Sequence, residues 1–136
     1  MSPTTAVPRA EFFVAATQHK PWGHETLFAT GEQGYVGKLI SVGAGQSLSL
    51  QLHREKDETI TVVSGAATFE HGPSADSLTA RTLRPGDTVH VPALVVHRIT
   101  ALADLLFAEV STGAPGWRED VVRLADRYGR VGTTAP

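Results

Sequence analysis

Ser47-Leu48-Ser49-Leu50-Gln51-Leu52-His53-Arg54-Glu55-Lys56-Asp57-Glu58-Thr59-Ile60-Thr61-Val62-Val63-Ser64-Gly65 is the run on which the reading of this chain turns. Successive side chains on a strand alternate faces, so Gln51 and His53 share one surface while Leu50 and Leu52 share the other. The polar interval 54–57 reads as a hairpin connection. The β-branched run behind Glu58, closed by Ser64-Gly65, reads as the returning strand. Glu58 then lies beside His53, and His97, after the Gly86…Pro92 stretch, supplies a fourth donor. Gln51, His53, Glu58 and His97 thus form a candidate divalent-metal site, because imidazole, carboxylate and amide oxygen together hold such an ion and leave positions open for substrate. Taken singly, a His–Glu pair on neighbouring strands is only an exposed ion pair worth about 0–1 kcal/mol. The joint spacing carries the assignment.

Around this run, short apolar segments alternate with Gly, Pro and Asp: 35–42, 47–52, 59–63, 66–70, 77–83, 88–91, 96–101 and 105–110. Strands of this length and spacing predict an all-β antiparallel sandwich or barrel. Residues 71–76 read as a loop, and Arg84-Pro85-Gly86-Asp87 as a tight turn. Residues 1–19 read as an N-terminal arm whose Phe12 and Phe13 need a surface to cover, 20–130 as one domain, and 131–136 as a flexible tail. Over 117–130, Val121, Leu124, Ala125 and Tyr128 recur at three- and four-residue spacing, with acids early and arginines late, which predicts a short amphipathic helix. The polar face of 47–53 is expected to line a lumen. Leu48, Leu50 and Leu52 then face outward and need cover from another sheet, the arm or a second subunit, so a homodimer is expected.

The chain has 136 residues, enough for one domain with a real core. Twelve basic against fourteen acidic residues leave a net charge of −2, without the basic footprint of a nucleic-acid binder, so a small-molecule partner is expected. There is no cysteine, hence no disulfide framework and no thiolate ligation. No apolar run approaches the roughly 18 residues of a membrane span, and the first eight residues do not resemble a secretory leader. The expectation is a cytoplasmic protein with no membrane partner.

The frame Gly45-x5-Gln51-x-His53-x4-Glu58-x6-Gly65, followed by Gly86-x5-Pro92-x4-His97, resembles the paired motifs of the cupin superfamily, with Gln51 in place of a histidine. Lys20-Pro21-Trp22-Gly23, Leu48–His53, Asp120-Val121-Val122-Arg123 and Asp126-Arg127-Tyr128-Gly129-Arg130 are similar to the isomerase domain of type II mannose-6-phosphate isomerases. The resemblance covers about 20–130. It implies a cupin double-stranded β-helix with the N-terminal arm and a short C-terminal helix. It also implies a dimer, one divalent metal ion per chain, and interconversion of an aldose and a ketose phosphate through an enediolate. In that family a nucleotidyltransferase usually precedes the domain, so here the domain is expected to stand alone. Zinc is the first expectation, with manganese, iron, cobalt or nickel as alternatives.

The same resemblance assigns Arg123 and Arg130 to activity, through the guanidinium fork that suits a sugar phosphate. Lys38 and Arg98 are further family-like basic positions. Lys38, Glu58 and His90 are the candidate proton carriers, His90 because its strand parity opposite Val89 and Val91 could bring it to the lumen. His24 and His71 have no partner at suitable spacing and read as structural or solvated. Four departures stand out, one of them Gly113-Ala114-Pro115-Gly116-Trp117-Arg118 in place of a segment with tyrosine and acids. Lys56 replaces an arginine near the carboxylate ligand and becomes the substrate-binding candidate there with Arg98. Thr59-Ile60 replaces a histidine and a tryptophan, and Leu94 replaces a glycine before the last histidine. Two other classes therefore stay open: another metal-dependent cupin enzyme, such as an oxygenase, decarboxylase or lyase, and a non-catalytic sugar- or metabolite-binding cupin.

Overall fold

The structure, a computed structural model, describes residues 7–136; the first six residues of the expected arm lie outside the described residues. Eleven strands follow in chain order: β1 (Ala16–Lys20), β2 (Gly23–Thr30), β3 (Tyr35–Val42), β4 (Leu50–Leu52), β5 (Glu58–Ser64), β6 (Ala67–Gly72), β7 (Thr79–Leu83), β8 (Thr88–Val91), β9 (Val96–Ala101), β10 (Leu105–Thr112) and β11 (Val122–Ala125). They build two antiparallel sheets. One is ordered β1-β2-β3-β10-β5-β8 and the other β11-β4-β9-β6-β7. This is the all-β antiparallel architecture expected from the spacing of turns and apolar runs, in the cupin form that the motif resemblance implies.

Alternation along the strands divides the interior into two halves. Inward side chains run Glu58, Ile60, Val62 on β5; Glu109, Phe107, Leu105 on β10; Lys38, Ile40, Val42 on β3; and His97, Ile99, Ala101 on β9. Each series runs from a polar residue near the mouth to apolar ones at the other end, with Val36 buried beyond Lys38 on β3. Ile40, Val42, Ile60, Val62, Phe69, Leu83, Val91, Ile99, Leu105 and Phe107 form the apolar plug, with Trp22 packed into it. Phe107 is only 1% exposed. The polar ends stand together at the mouth, supported from below by closely packed hydrocarbon. Gly65, at φ 85°, makes the turn from β5 into β6 where a Cβ would lie 2.2 Å from the Asp104 carbonyl oxygen. Only glycine fits that backbone without strain.

The N-terminal reading needs extension. Residues 16–30 form the β1–β2 hairpin and add two strands to the larger sheet, so the expected arm is already in the sheet from Ala16 onward. A register shift between Leu27 and Ala29 breaks the alternation that would have announced β2. Residues 7–15 carry no strand, and Phe12 and Val14 are almost fully exposed. The leucine face finds its cover inside the chain, one of the alternatives expected for it. Leu50 is buried within this one chain and Leu48 packs against the core cluster, so neither waits for an outside cover.

The helix expected over 117–130 does not form. Val122 and Arg123 instead pair with Leu52 and Gln51, closing the edge of β4 with β11, and the intervening backbone turns rather than winding. The helical spacing was coincidental: Leu124 is 40% exposed while Val122, Arg123 and Ala125 are partly buried. Ladder pairing of an otherwise open edge outweighs a weak amphipathic pattern.

The end of the chain is pinned by Arg130, whose Nε and Nη2 donate to the two carboxylate oxygens of Asp126 at 2.8 and 3.0 Å. Arg130's hydrogen bonds hold the Asp126 carboxyl below its ordinary 3.8. A depressed carboxylate stabilises the fold at every pH above its unfolded value and loses that contribution as pH falls through the folded value. Asp126→Asn is therefore expected to cost about 1–3 kcal/mol at neutral pH. The gap to wild type should narrow as pH falls below about 4 in denaturant titrations across the acid limb. A constant gap down to the acid transition would contradict this role.

Candidate metal centre

Three side chains from three places in the chain meet at the barrel mouth. Glu58 opens β5, His97 is the second residue of β9, and His53 follows β4; all are buried. Their ligand atoms lie within 4.8 Å of one another. Glu58 Oε1 is 3.4 Å from His53 Nε2 and 2.9 Å from His97 Nε2. Gln51 pairs with His97 across β4 and β9 and lines the adjoining cavity, its Oε1 accepting from Ser49 Oγ at 3.0 Å.

Hydrogen bonds on the far side of each ring fix its tautomer. His53 Nδ1 donates to the Asp120 carbonyl at 2.6 Å, and His97 Nδ1 donates to the Val95 carbonyl at 2.9 Å. With Nδ1 donating, Nε2 of an unprotonated ring is a lone pair, so the 2.9 Å approach of His97 Nε2 to Glu58 Oε1 calls for a proton or a cation between the two atoms. Consistently, His53 Nε2 and Glu58 Oε1 are buried with no donor. A divalent cation satisfies all three atoms at once, and a carbonyl behind a ligating imidazole is the usual supporting contact for one. The residues present therefore fit a metal ion. The donor set of two imidazoles, one carboxylate and a neighbouring amide suits zinc and the first-row ions around it.

Lys56 steadies the carboxylate from behind. Its buried Nζ lies 3.6 Å from Glu58 Oε2 and 3.4 Å from Glu109 Oε2. Burial alone would raise the Glu58 carboxyl, yet hydrogen bonds from His53 and His97, when their Nε2 atoms carry protons, and the Lys56 charge hold it well below the ordinary range. Glu109 shifts the other way, raised by complete burial and by the Glu58 charge. Lys56, expected at the substrate, is engaged with these two acids while still bordering the cavity.

The cavity beside the ligands is markedly basic. Lys20, Lys38, Lys56, Arg118, Arg123 and Arg130 line it, against Glu25, Glu109 and Asp120. Burial lowers the Lys20 ammonium, and Lys38, Arg123 and Arg130 add to the effect against the opposing pull of Glu25. Burial and the neighbouring Arg130 likewise lower Arg123, whose Nε is buried without a partner. Lys38 Nζ donates to Glu25 Oε2 at 3.5 Å and stands 5.4 Å from the Trp117 ring centre. The enclosed space is about 110 Å³. Small-molecule sites are usually about 300 Å³ or more, so this cavity is small, with Trp117 and Arg118 among the residues that line it.

The structure thus brings together Lys38, Gln51, His53, Lys56, Glu58, His97, Arg123 and Arg130. It does not bring in His90 or Arg98. His90 pairs with Thr59 across β5 and β8, one step out of phase with Glu58, and its exposed Nε2 is 2.6 Å from Asp57 Oδ1. Arg98 follows the inward His97, so it faces the other side of the sheet and grips Glu70 with two bonds of 2.9 Å. Lys20 and Asp120, noted in the sequence only as members of family-like motifs, join the site with Glu25, Glu109 and Trp117, none of them assigned a role there from sequence. For Glu109 a signal existed: an acid within the apolar run 105–110, at the parity of Leu105 and Phe107.

Residues 8–126 match the family model described as mannose-6-phosphate isomerase C-terminal. The xanthan biosynthesis protein XanB of Xanthomonas campestris pv. campestris is 33% identical over 115 residues, covering 83% of this chain and 23% of that protein. A mannose-1-phosphate guanylyltransferase of Escherichia coli is 32% identical over 125 residues, covering 90% of this chain and 25% of that protein. The chain thus spans about a quarter of the length of the curated relatives it matches. Among solved structures, the capsular polysaccharide assembling protein CapF of Staphylococcus aureus superposes with a TM-score of 0.69 at 17% identity, over 85% of this chain and 34% of that one. Oxalate decarboxylase of Bacillus subtilis gives 0.71 at 16% identity, over 81% and 30%; both share the fold. With a family match across nearly its whole described length and the candidate cluster His53–Glu58–His97 at the mouth of its barrel, the chain belongs to the mannose-6-phosphate isomerase C-terminal family of the cupin superfamily.

Proposed function

We propose that this protein is a metal-dependent sugar-phosphate isomerase, interconverting an aldose phosphate such as mannose 6-phosphate with its ketose through an enediolate. The observation that carries the reading is the union, in one cavity, of the His53–Glu58–His97 cluster with Lys20, Lys38, Arg123 and Arg130. The family match and relatives named for mannose 1-phosphate chemistry support the substrate class.

Gln51, His53, Glu58 and His97 would hold the divalent ion, zinc first among the candidates, which supplies Lewis-acid polarisation of the sugar carbonyl. Arg123 binds the phosphate with its unpartnered Nε, and Arg130 and Lys20 add positive charge beside it. Lys38 moves the proton between the two adjacent carbons, since it is the proposed carrier that lines the cavity without supporting the Glu58 carboxylate. Lys56 keeps Glu58 ionised and oriented, and burial of the mouth strengthens every charge interaction within it.

A homodimer, acting in the cytoplasm, is part of the same proposal. Its support is the outer face of the larger sheet, where Phe28, Tyr35, Leu39 and Val110 are exposed close to the arm that carries Phe12 and Phe13. The absence of cysteine accords with a reducing compartment. Sedimentation equilibrium should give twice the chain mass, and a stable monomer would count against the dimer.

Proton NMR of mannose 6-phosphate and fructose 6-phosphate in deuterated buffer tests the chemistry, with zinc, manganese, iron, cobalt or nickel added separately. Metal-dependent deuterium uptake beside the carbonyl is expected in wild type and should vanish in His97→Ala, which also loses metal-induced thermal stabilisation. Lys38→Met should bind metal normally and exchange at least about 100-fold more slowly. No exchange with any metal would sink the isomerase reading and point to a binding cupin or another cupin enzyme.

A further inference from the structure

We infer that Asp120 is a positioning residue that joins the metal centre to the basic end of the cavity, so that metal and anionic ligand bind cooperatively. The anion part of this inference rests on the proposed function; the metal part does not.

Asp120 holds the metal loop with both its backbone and its side chain. Its carbonyl accepts from His53 Nδ1 at 2.6 Å. Its carboxylate accepts three successive backbone N–H groups: Arg54 at 2.7 Å on Oδ1, with Glu55 at 3.0 Å and Lys56 at 2.9 Å on Oδ2. Consecutive amides converging on one anion form a backbone nest, and here the anion comes from a segment more than sixty residues away in sequence. The connection from β4 to β5 carries His53 at its start and leads into Lys56 and Glu58. Asp120 therefore sets the shape of the segment that presents two of the metal ligands.

The other side of Asp120 leads directly into the cavity. Three residues on, Arg123 pairs with Gln51, and Gln51 pairs with His97, so basic residue, amide and imidazole form one row across β11, β4 and β9. Three residues back, Trp117 lines the same cavity. Fixing residues 53–58 around a metal thus fixes the anchor of 117–123, and ordering 117–123 around an anion returns the same constraint to His53. Such a linkage is reciprocal by thermodynamic necessity. Neither side chain of the pair Asp120 and Arg123 needs to touch the metal for it to operate.

Calorimetric titration of zinc, and of inorganic phosphate with and without zinc, into wild type and Asp120→Asn provides the test. Asparagine keeps the carbonyl to His53 but loses the charge that holds three amides. Zinc affinity should fall by about 10- to 100-fold, as when other supporting contacts of metal ligands are removed. Wild type should bind phosphate at least about fivefold tighter with zinc, and this gain should disappear in Asp120→Asn at saturating zinc. Zinc affinity equal to wild type would overturn the inference. So would a phosphate gain that persists in the variant, because the anion would then be meeting the metal directly. Amide hydrogen exchange on wild type alone gives a second measurement: zinc should protect both 54–56 and 117–123, and protection confined to 53–58 would also overturn it. Neither readout requires turnover, so an inactive protein with intact coupling would reject the isomerase reading while leaving the role of Asp120 standing.

Discussion

Two imidazole nitrogens and a carboxylate oxygen are held face to face in the buried mouth of this barrel, and neither ring can turn away because its other nitrogen is bound to a backbone carbonyl. Burying acceptors against one another is costly unless a cation or a proton stands between them. Much of the surrounding architecture serves to keep them there. Lys56 holds the second oxygen of Glu58, Asp120 shapes the loop that carries His53, and β11 closes the edge of the strand that supplies Gln51.

The cupin barrel tolerates this polar cluster because its strands change character along their length. On β3, β5, β9 and β10 the same inward face that carries Lys38, Glu58, His97 or Glu109 continues toward the plug as isoleucine, valine, leucine or phenylalanine. The rigid apolar half fixes strand register, and register fixes the distances between ligands at the other end. A site assembled from residues far apart in sequence thus depends on the packing of Phe107 and its neighbours as much as on the ligands themselves.

Much of this was legible in the sequence because it follows from local rules. Strand parity put Gln51 and His53 on one side, the short polar interval brought Glu58 back, and Gly65 marked the turn. Parity alone also turns Arg98 away once His97 is inward. The position of His90 required the pairing of β8 with β5, which no local pattern reveals. The fate of residues 117–130 was hidden for a similar reason. Their apolar spacing suits a helix, but the open edge of β4 and the amides of 54–56 are long-range partners. Lys20, Glu25 and Asp120 became visible as site residues only when distant strands and loops were brought together. Glu109 was within reach of parity reasoning, as an acid among inward apolar residues.

The account stands or falls on a single ion at the mouth of the barrel. Anomalous diffraction from crystals grown with zinc, recorded at the zinc edge, is the most direct test. One strong peak per chain is predicted within about 2.0–2.2 Å of His53 Nε2, His97 Nε2 and a Glu58 oxygen, with Gln51 alongside. A peak at other residues, or none at saturating zinc with His53 and His97 still converging on Glu58, would contradict it.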